Sequence, residues 1–418
     1  MKILHFSPRF YGDDLGTGRR LSQLLRDDGN YHYFLVSGEE GRAVRRDWQR
    51  DGNLYHRRCR YVFRLRFEVP VLSRYLKLAL NSRSLVRAAP PPGEFDLVIA
   101  HNPLDFAFPA VGYARRHRLP LVYEIHTLYY DEVAVRRRKR VPGFFFSLAK
   151  RIALIGEKRV IRSADAVIVQ TEALRKRVTE LYRADPEKIV VVPNGVDVEL
   201  FRPPDEAERE QGRREKGWGG KTVILYSGYL DWINGVDFLL AAASALPPDL
   251  KERSLLVIAG DGPLADTVRR RAGADPDFIQ YLGRIDHRRM PRLYGLADIF
   301  VIPRPATEAG DSLVPIKLLE AMAMEKAILA SDLAAFREVI GDDRCGLLFR
   351  RGDAGDFREK LAAAIERFDE YKPLRVRARA RVLSGYDWES SRQRLGKVFR
   401  RVVGAGRASF DPGPDNRQ

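Results

Sequence analysis

Ile299-Phe300-Val301-Ile302-Pro303, then Pro315-Ile316-Lys317-Leu318-Leu319-Glu320-Ala321-Met322-Ala323-Met324, then Ala327-Ile328-Leu329-Ala330 read in succession as strand, helix and strand. The outer two are short apolar runs, and the middle one carries Leu318, Leu319 and Met322 at helical spacing. Apolar strands joined by a helix belong to a parallel sheet covered on both faces. Outward from this unit, strands are expected at residues 223–227, 255–259 and 278–282, with helices at 236–245, 264–272, 290–296 and 335–340. The first half repeats the alternation. Its strands are expected at residues 2–7, 32–37, 96–101, 121–126, 166–170 and 189–193, and its helices at 17–28, 104–116, 144–162 and 172–182. Two such blocks define an α/β chain of two doubly wound, Rossmann-like parallel-sheet domains. The expected divisions are an N-terminal domain 1–197, a linker 198–220, a C-terminal domain 221–384, a closing helix 385–403 and a disordered tail 404–418. Pro203-Pro204 and Gly217-Trp218-Gly219-Gly220 give the linker its exposed composition, and Gly and Pro mark the tail.

Composition narrows the function. A chain of 418 residues with 45% hydrophobic content is globular and too long for one core. The formal charge of +17 points to a polyanionic partner. Two cysteines, Cys59 and Cys345, offer neither a disulfide framework nor zinc spacing. Met1-Lys2-Ile3-Leu4-His5-Phe6-Ser7 reads as a strand rather than a signal peptide, and no apolar run is long enough to span a bilayer. A cytoplasmic protein, soluble or peripheral on the inner face of the plasma membrane, is expected.

Val191-Val192-Pro193-Asn194-Gly195-Val196-Asp197, Ala259-Gly260-Asp261-Gly262-Pro263-Leu264, Tyr281-Leu282-Gly283-Arg284-Ile285, residues 293–303 and residues 315–324 followed by Ala330-Ser331-Asp332 stand in the order found in glycosyltransferase family 4, which the chain resembles. The resemblance implies the GT-B architecture, with two Rossmann-like domains facing a cleft, and retaining transfer of a sugar from a nucleotide-diphosphate donor. It places Gly228, Asn234, Arg284, Ile285, Arg304, Asp311, Ser312, Leu313, Lys317 and Glu320 in the donor site, with Gly16 and Thr17 of the first Gly-rich loop. Glu320 corresponds to the second glutamate of the family's paired-glutamate motif and would hold the ribose hydroxyls. By periodicity alone it is equally a solvated residue of an amphipathic core helix. Three positions depart from the family pattern. Ser312 stands where the first glutamate is expected, with Asp311 and Glu308 nearby, while Tyr229 and Asn234 replace the Arg and Lys of the diphosphate loop. Pro303-Arg304 and Pro315-Ile316-Lys317 resemble a branch lacking those cations, so Arg304 and Lys317 are expected to take the diphosphate charge. Pro315 suits the first position of a helix, whose unpaired N–H groups attract anions.

On the acceptor side, His126 at the end of an expected strand corresponds to an active-site histidine of the family. His101 and Glu124 are second candidates, with Asp131 and Glu132 behind them. No catalytic triad or metal-ligand spacing is visible, so no metal and no cofactor are expected. The partners expected are a nucleotide-diphosphate sugar and a glycan or polyprenyl-diphosphate-linked acceptor. Basic residues interleaved with aromatics over 57–87, and Arg136-Arg137-Arg138-Lys139-Arg140 before Phe144-Phe145-Phe146, suit an anionic membrane surface. They also fit a solvated Arg-rich face. No nucleic-acid-binding motif accompanies the charge. Tyr229, Asn234 and Ser312 favour the rival reading, an inactive sugar-nucleotide- or glycan-binding pseudo-enzyme acting as a scaffold. A nucleotide-sugar epimerase on the same fold is a further alternative.

Overall fold

The structure is a computed structural model that describes residues 1–8, 16–26, 29–40, 48–61, 72–90, 93–128, 143–305, 310–341 and 344–409. The chain forms two compact units, Met1–Pro193 with Ser391–Gln418, and Asn194–Ser390.

In the first unit the strands are β1 (Lys2–Ser7), β2 (His32–Glu40), β3 (Gln49–Asp51), β4 (Leu54–Tyr61), β5 (Leu97–His101), β6 (Leu121–Glu124), β7 (Ala166–Val169) and β8 (Ile189–Val191). They form one sheet in the order β3-β4-β2-β1-β5-β6-β7-β8, parallel except where β3 runs antiparallel to β4. β1, β5, β6 and β7 are almost wholly buried, as a sheet covered on both faces requires. β3 and β4 escaped the sequence reading because His56-Arg57-Arg58 interrupts any apolar run there.

The second unit carries β9 (Thr222–Ser227), β10 (Ser254–Ala259), β11 (Ile279–Gly283), β12 (Ile299–Ile302), β13 (Ala327–Ser331) and β14 (Leu347–Phe349), ordered β11-β10-β9-β12-β13-β14 and all parallel. Its core joins Ile224, Tyr226, Ile258, Val301 and Leu329 of the sheet to Leu239, Leu240, Phe357 and Leu361 of the covering helices.

Among the parallel strands of each sheet the order reverses once, between β1 and β5 and between β9 and β12. Open α/β sheets bind ligands at the carboxyl ends of the strands flanking such a reversal. Both candidate sites lie there.

Two expected boundaries are corrected. Residues 198–220 are part of the second unit rather than an exposed linker. Helix Glu206–Lys216 is capped by Asp205 and by Gly217 in the left-handed conformation, and Trp218 is buried with its Nε1 donating to Gln280 Oε1 at 2.7 Å. Arg209 and Arg213 pair with the buried Asp298. The closing helix spans Trp388–Ser409 and so extends past Val403, with residues 410–418 outside the described set. Within the first unit, Arg392 donates to the Gln23 carbonyl at 3.0 Å and Phe399 packs edge-on to Tyr31.

Candidate functional site

At the reversal of the second sheet, β9 ends on Ser227 and turns at Gly228, where φ is +134°. Gly228 N donates to the Ala259 carbonyl and Leu230 N to the Asp261 carbonyl, both at 2.9 Å. The turn is clamped by backbone. A Cβ on Gly260 would stand 1.8 Å from the Gly228 carbonyl oxygen, and one on Gly235 (φ +75°) 1.7 Å from that of Pro303. Gly235→Ala must therefore move the backbone beside Arg304, and we expect a loss of about 1–3 kcal/mol, measured by urea denaturation. An unchanged denaturation midpoint would contradict the close approach.

Two cations converge on this turn. Arg304 follows β12, with its Nε buried and lacking a hydrogen-bond partner among the described residues. Lys317 Nζ donates to the Ser227 carbonyl at 2.9 Å and lies 4.6 Å from the centre of the Tyr226 ring. A Cβ at Gly228 would stand 2.8 Å from Lys317 Nζ, which explains the glycine. Among the described residues neither cation forms an ion pair within 4.0 Å. Burial and the neighbouring Arg304 push the Lys317 ammonium down to about 7 against the opposing charges of Asp231 and Glu320. Burial also lowers Arg304.

Pro315 is extended and precedes helix Ile316–Ala323, capping it without a side-chain bond rather than opening it as its first residue. Glu320 is buried in this helix. Its Oε1 accepts from His287 Nε2 at 2.9 Å and its Oε2 from the Tyr294 hydroxyl at 3.2 Å. The solvated alternative for Glu320 is thereby excluded.

The remaining expected donor residues separate. Asn234 lies half-buried in a turn, its side chain and backbone N both donating to Asp231 Oδ1. Asp311 accepts from Ala334 N at 3.1 Å and pairs with Arg351 at 3.3 Å, so it serves the fold beside helix Ala334–Ile340. Ser312 is buried, Leu313 and Ile285 are half-buried, and Arg284 is exposed after β11. Tyr229 is 55% exposed and cannot substitute for a buried cation. Gly16 and Thr17 open helix Gly16–Leu24, while Glu308, Asp131, Glu132 and the 136–140 basic run lie outside the described residues.

At the reversal of the first sheet, three buried histidines form a chain. His5 Nδ1 lies 3.0 Å from His101 Nε2, His101 Nδ1 lies 3.1 Å from His126 Nε2, and Gln170 Nε2 lies 3.2 Å from His126 Nδ1. Glu124 meets His101 Nδ1 at 3.2 Å and Arg20 Nε at 2.7 Å. Arg20 also donates to the Val192 and Pro193 carbonyls at 2.8 and 2.9 Å. Burial alone would raise Glu124, but Arg20, His126 and His101 hold it well below the usual carboxylate range. Burial and His101 keep His5 well below its ordinary value, hence neutral. The strand expected to run to His126 ends at Glu124, and the Asn102 side chain accepts from His126 N at 3.0 Å, which fixes the histidine just beyond it.

His126, His101 and Glu124 were all legible as strand-end candidates. His5, Arg20 and Gln170 were not, because nothing local marks them. The fold also does what the spacing did not suggest: ligand atoms of His101, Glu124 and His126 come within 4.8 Å of one another, a grouping that could hold a metal ion. The Arg20 guanidinium already neutralises this carboxylate, which weakens its attraction for a second cation.

Two polar clusters at the sheet reversals, one of them built on Arg304 and Lys317, mark a two-unit α/β protein with ligand sites at its strand ends. Sequence comparison makes this specific. Residues 18–200 match the family described as Glycosyltransferase Family 4, and residues 221–367 match Glycosyl transferases group 1. The D-inositol 3-phosphate glycosyltransferase of Nocardia farcinica is 28% identical over 337 residues, covering 76% of this chain and 71% of that one. Among solved structures, a sucrose-phosphate synthase from Thermosynechococcus elongatus has a TM-score of 0.76 at 17% identity, covering 97% of this chain and 99% of its own. Anabaena HepE in complex with UDP-glucose has a TM-score of 0.68 at 17% identity, covering 96% and 100%. The chain belongs to glycosyltransferase family 4 and is a transferase of the GT-B fold.

Proposed function

We propose that the chain transfers a sugar, with retention of anomeric configuration, from a nucleoside-diphosphate donor held by the second unit to an acceptor held by the first. One observation carries the reading: Arg304 and Lys317 share the β9/β12 reversal, each repelling the other, and among the described residues neither has a carboxylate within 4.0 Å, Asp231 and Glu320 acting only from farther off. Buried charges are normally paired, and a diphosphate is the anion this turn fits. The solved relative with UDP-glucose supports a nucleotide sugar as donor. As charge develops on the leaving diphosphate, Lys317 and Arg304 stabilise it. Glu320 holds the ribose. His126, oriented by Asn102 and His101, acts on the acceptor side, and the leaving phosphate serves as base. In this reading the cations do the work of a divalent metal.

The acceptor is a glycan or a polyprenyl-diphosphate-linked glycan, presented at an anionic membrane surface. No helix among the described residues is long and apolar enough to cross a membrane, so attachment would be peripheral. A second reading, a phosphorylated cyclitol acceptor, draws support from the name of the Nocardia relative.

The test is a donor panel of UDP-, GDP- and ADP-glucose with the purified full chain, read by thermal shift and by proton NMR of the sugar. At least one donor should raise the melting temperature and be turned over, with and without EDTA, to an α-configured product. Failure of every donor to bind would remove the proposal in favour of a glycan-binding scaffold. Activity abolished by EDTA and restored by zinc would instead place a metal at His101, Glu124 and His126.

A further inference from the structure

We propose that His287, Tyr294 and Ser227 are positioning residues, which fix the plane of the Glu320 carboxylate and join it to the lysine holding the diphosphate. The proposal rests on the nucleoside-diphosphate reading of this pocket.

An ionised carboxylate only accepts hydrogen bonds, so the direction of each contact is determined. His287 Nε2–H donates to Oε1 at 2.9 Å, and the Tyr294 hydroxyl donates to Oε2 at 3.2 Å. Because the Tyr294 proton is committed to Glu320, the Ser227 hydroxyl must donate to Tyr294 Oη, 3.0 Å away. The carbonyl of the same Ser227 accepts from Lys317 Nζ at 2.9 Å. One residue at the end of β9 therefore touches the groups expected to hold both ends of the ligand, its hydroxyl reaching the ribose carboxylate through Tyr294 and its carbonyl meeting the diphosphate lysine.

The donors cannot readily turn away. Tyr294 is fully buried between Phe201 and Phe300, with ring centres 5.8 and 5.1 Å away, and His287 packs on the same Phe201 at 5.4 Å. A donor fixed on each oxygen leaves the carboxylate a preferred plane in which to meet a pair of vicinal hydroxyls. A carboxylate free to rotate would meet one hydroxyl nearly as well as two. His287 and Tyr294 should thus set how strongly the protein prefers a ribonucleotide over its deoxy analogues, as is expected where buried polar groups are built to match substrate hydroxyls.

The experiment uses the full chain and whichever of UDP, GDP and ADP binds most tightly, with its 2′-deoxy and 3′-deoxy forms, by calorimetry. In His287→Leu and Tyr294→Phe the ratio of deoxy to ribo Kd should fall roughly tenfold, about 1.4 kcal/mol, with the melting temperature confirming the fold. His287→Gln, which retains a donor, should keep most of the preference. If the parent binds none of the three diphosphates, the reading of the pocket fails and this proposal with it. If the parent binds but the ratio is unchanged in both variants, or His287→Gln loses as much as His287→Leu, the positioning role alone is overturned.

Discussion

Replacing Lys317 with methionine is expected to lower kcat/KM by roughly 10²–10³, the effect of deleting one preorganised donor to a developing anion, without lowering thermal stability. Methionine keeps the stem under Gly228 and removes the charge together with the hydrogen bond to the Ser227 carbonyl, a loss offset by no longer burying an ammonium. The ammonium is strained in the free protein, since burial and Arg304 push it down to about 7. The sign of the pH effect follows. Between about pH 7 and the ordinary lysine value the unfolded chain binds the proton that the folded chain has shed, so this group makes stability rise with pH across that window. Lys317→Met should flatten that rise while slowing donor turnover by the factor above. Arg304→Met should act in the same direction on turnover, and each loss should exceed that of Tyr229→Phe at an exposed position. Two variants that turn over donor at the parental rate would refute the idea that these cations replace the missing Arg and Lys.

Arg20→Met should be strongly destabilising, at about 3–5 kcal/mol, because it takes from the buried Glu124 its one permanently charged partner and leaves only the histidines beside it. The guanidinium and carboxylate are 1% and 4% exposed and 2.7 Å apart. Arg20 also releases the Val192 and Pro193 carbonyls, which would lose 2.8 and 2.9 Å hydrogen bonds. At roughly 2–4 °C per kcal/mol for a unit of this size, the first thermal transition should drop by on the order of 10 °C. Adding Glu124→Gln should recover part of it by removing the stranded charge. A drop below about 2 °C for Arg20→Met would show that the pair is not the anchor its burial implies.

What could be read from the sequence was whatever depends on near neighbours. β12 and β13 announce themselves as apolar runs, and Glu320 and Lys317 share the one helix between them. Partners distant in sequence were invisible. Arg20 meets Glu124 across 104 residues, and His287 meets Glu320 across 33. Helix Glu206–Lys216 shows the same limit. It has no apolar stripe and buries only Gly212, so its composition reads as an exposed linker. It is held because Arg209 and Arg213 reach the buried Asp298 and because Gly212 lets Leu296 approach to where its own Cβ would stand, 2.7 Å away. Asp311 shows a different limit. Its place before Ser312 suggested a ligand contact, yet its carboxylate is engaged by Ala334 N and Arg351.

The most direct measurement is the affinity of the full chain for a nucleoside diphosphate and for its parent nucleoside, compared between the native protein and Arg304→Met/Lys317→Met by calorimetry. The account predicts that the native protein binds the diphosphate at least about 100-fold more tightly, some 2.7 kcal/mol, and that the double variant loses nearly all of that advantage while still binding the nucleoside. Equal preference for the diphosphate in both proteins would mean that the phosphates are held elsewhere, and the site built on Gly228, Arg304 and Lys317 would be wrong.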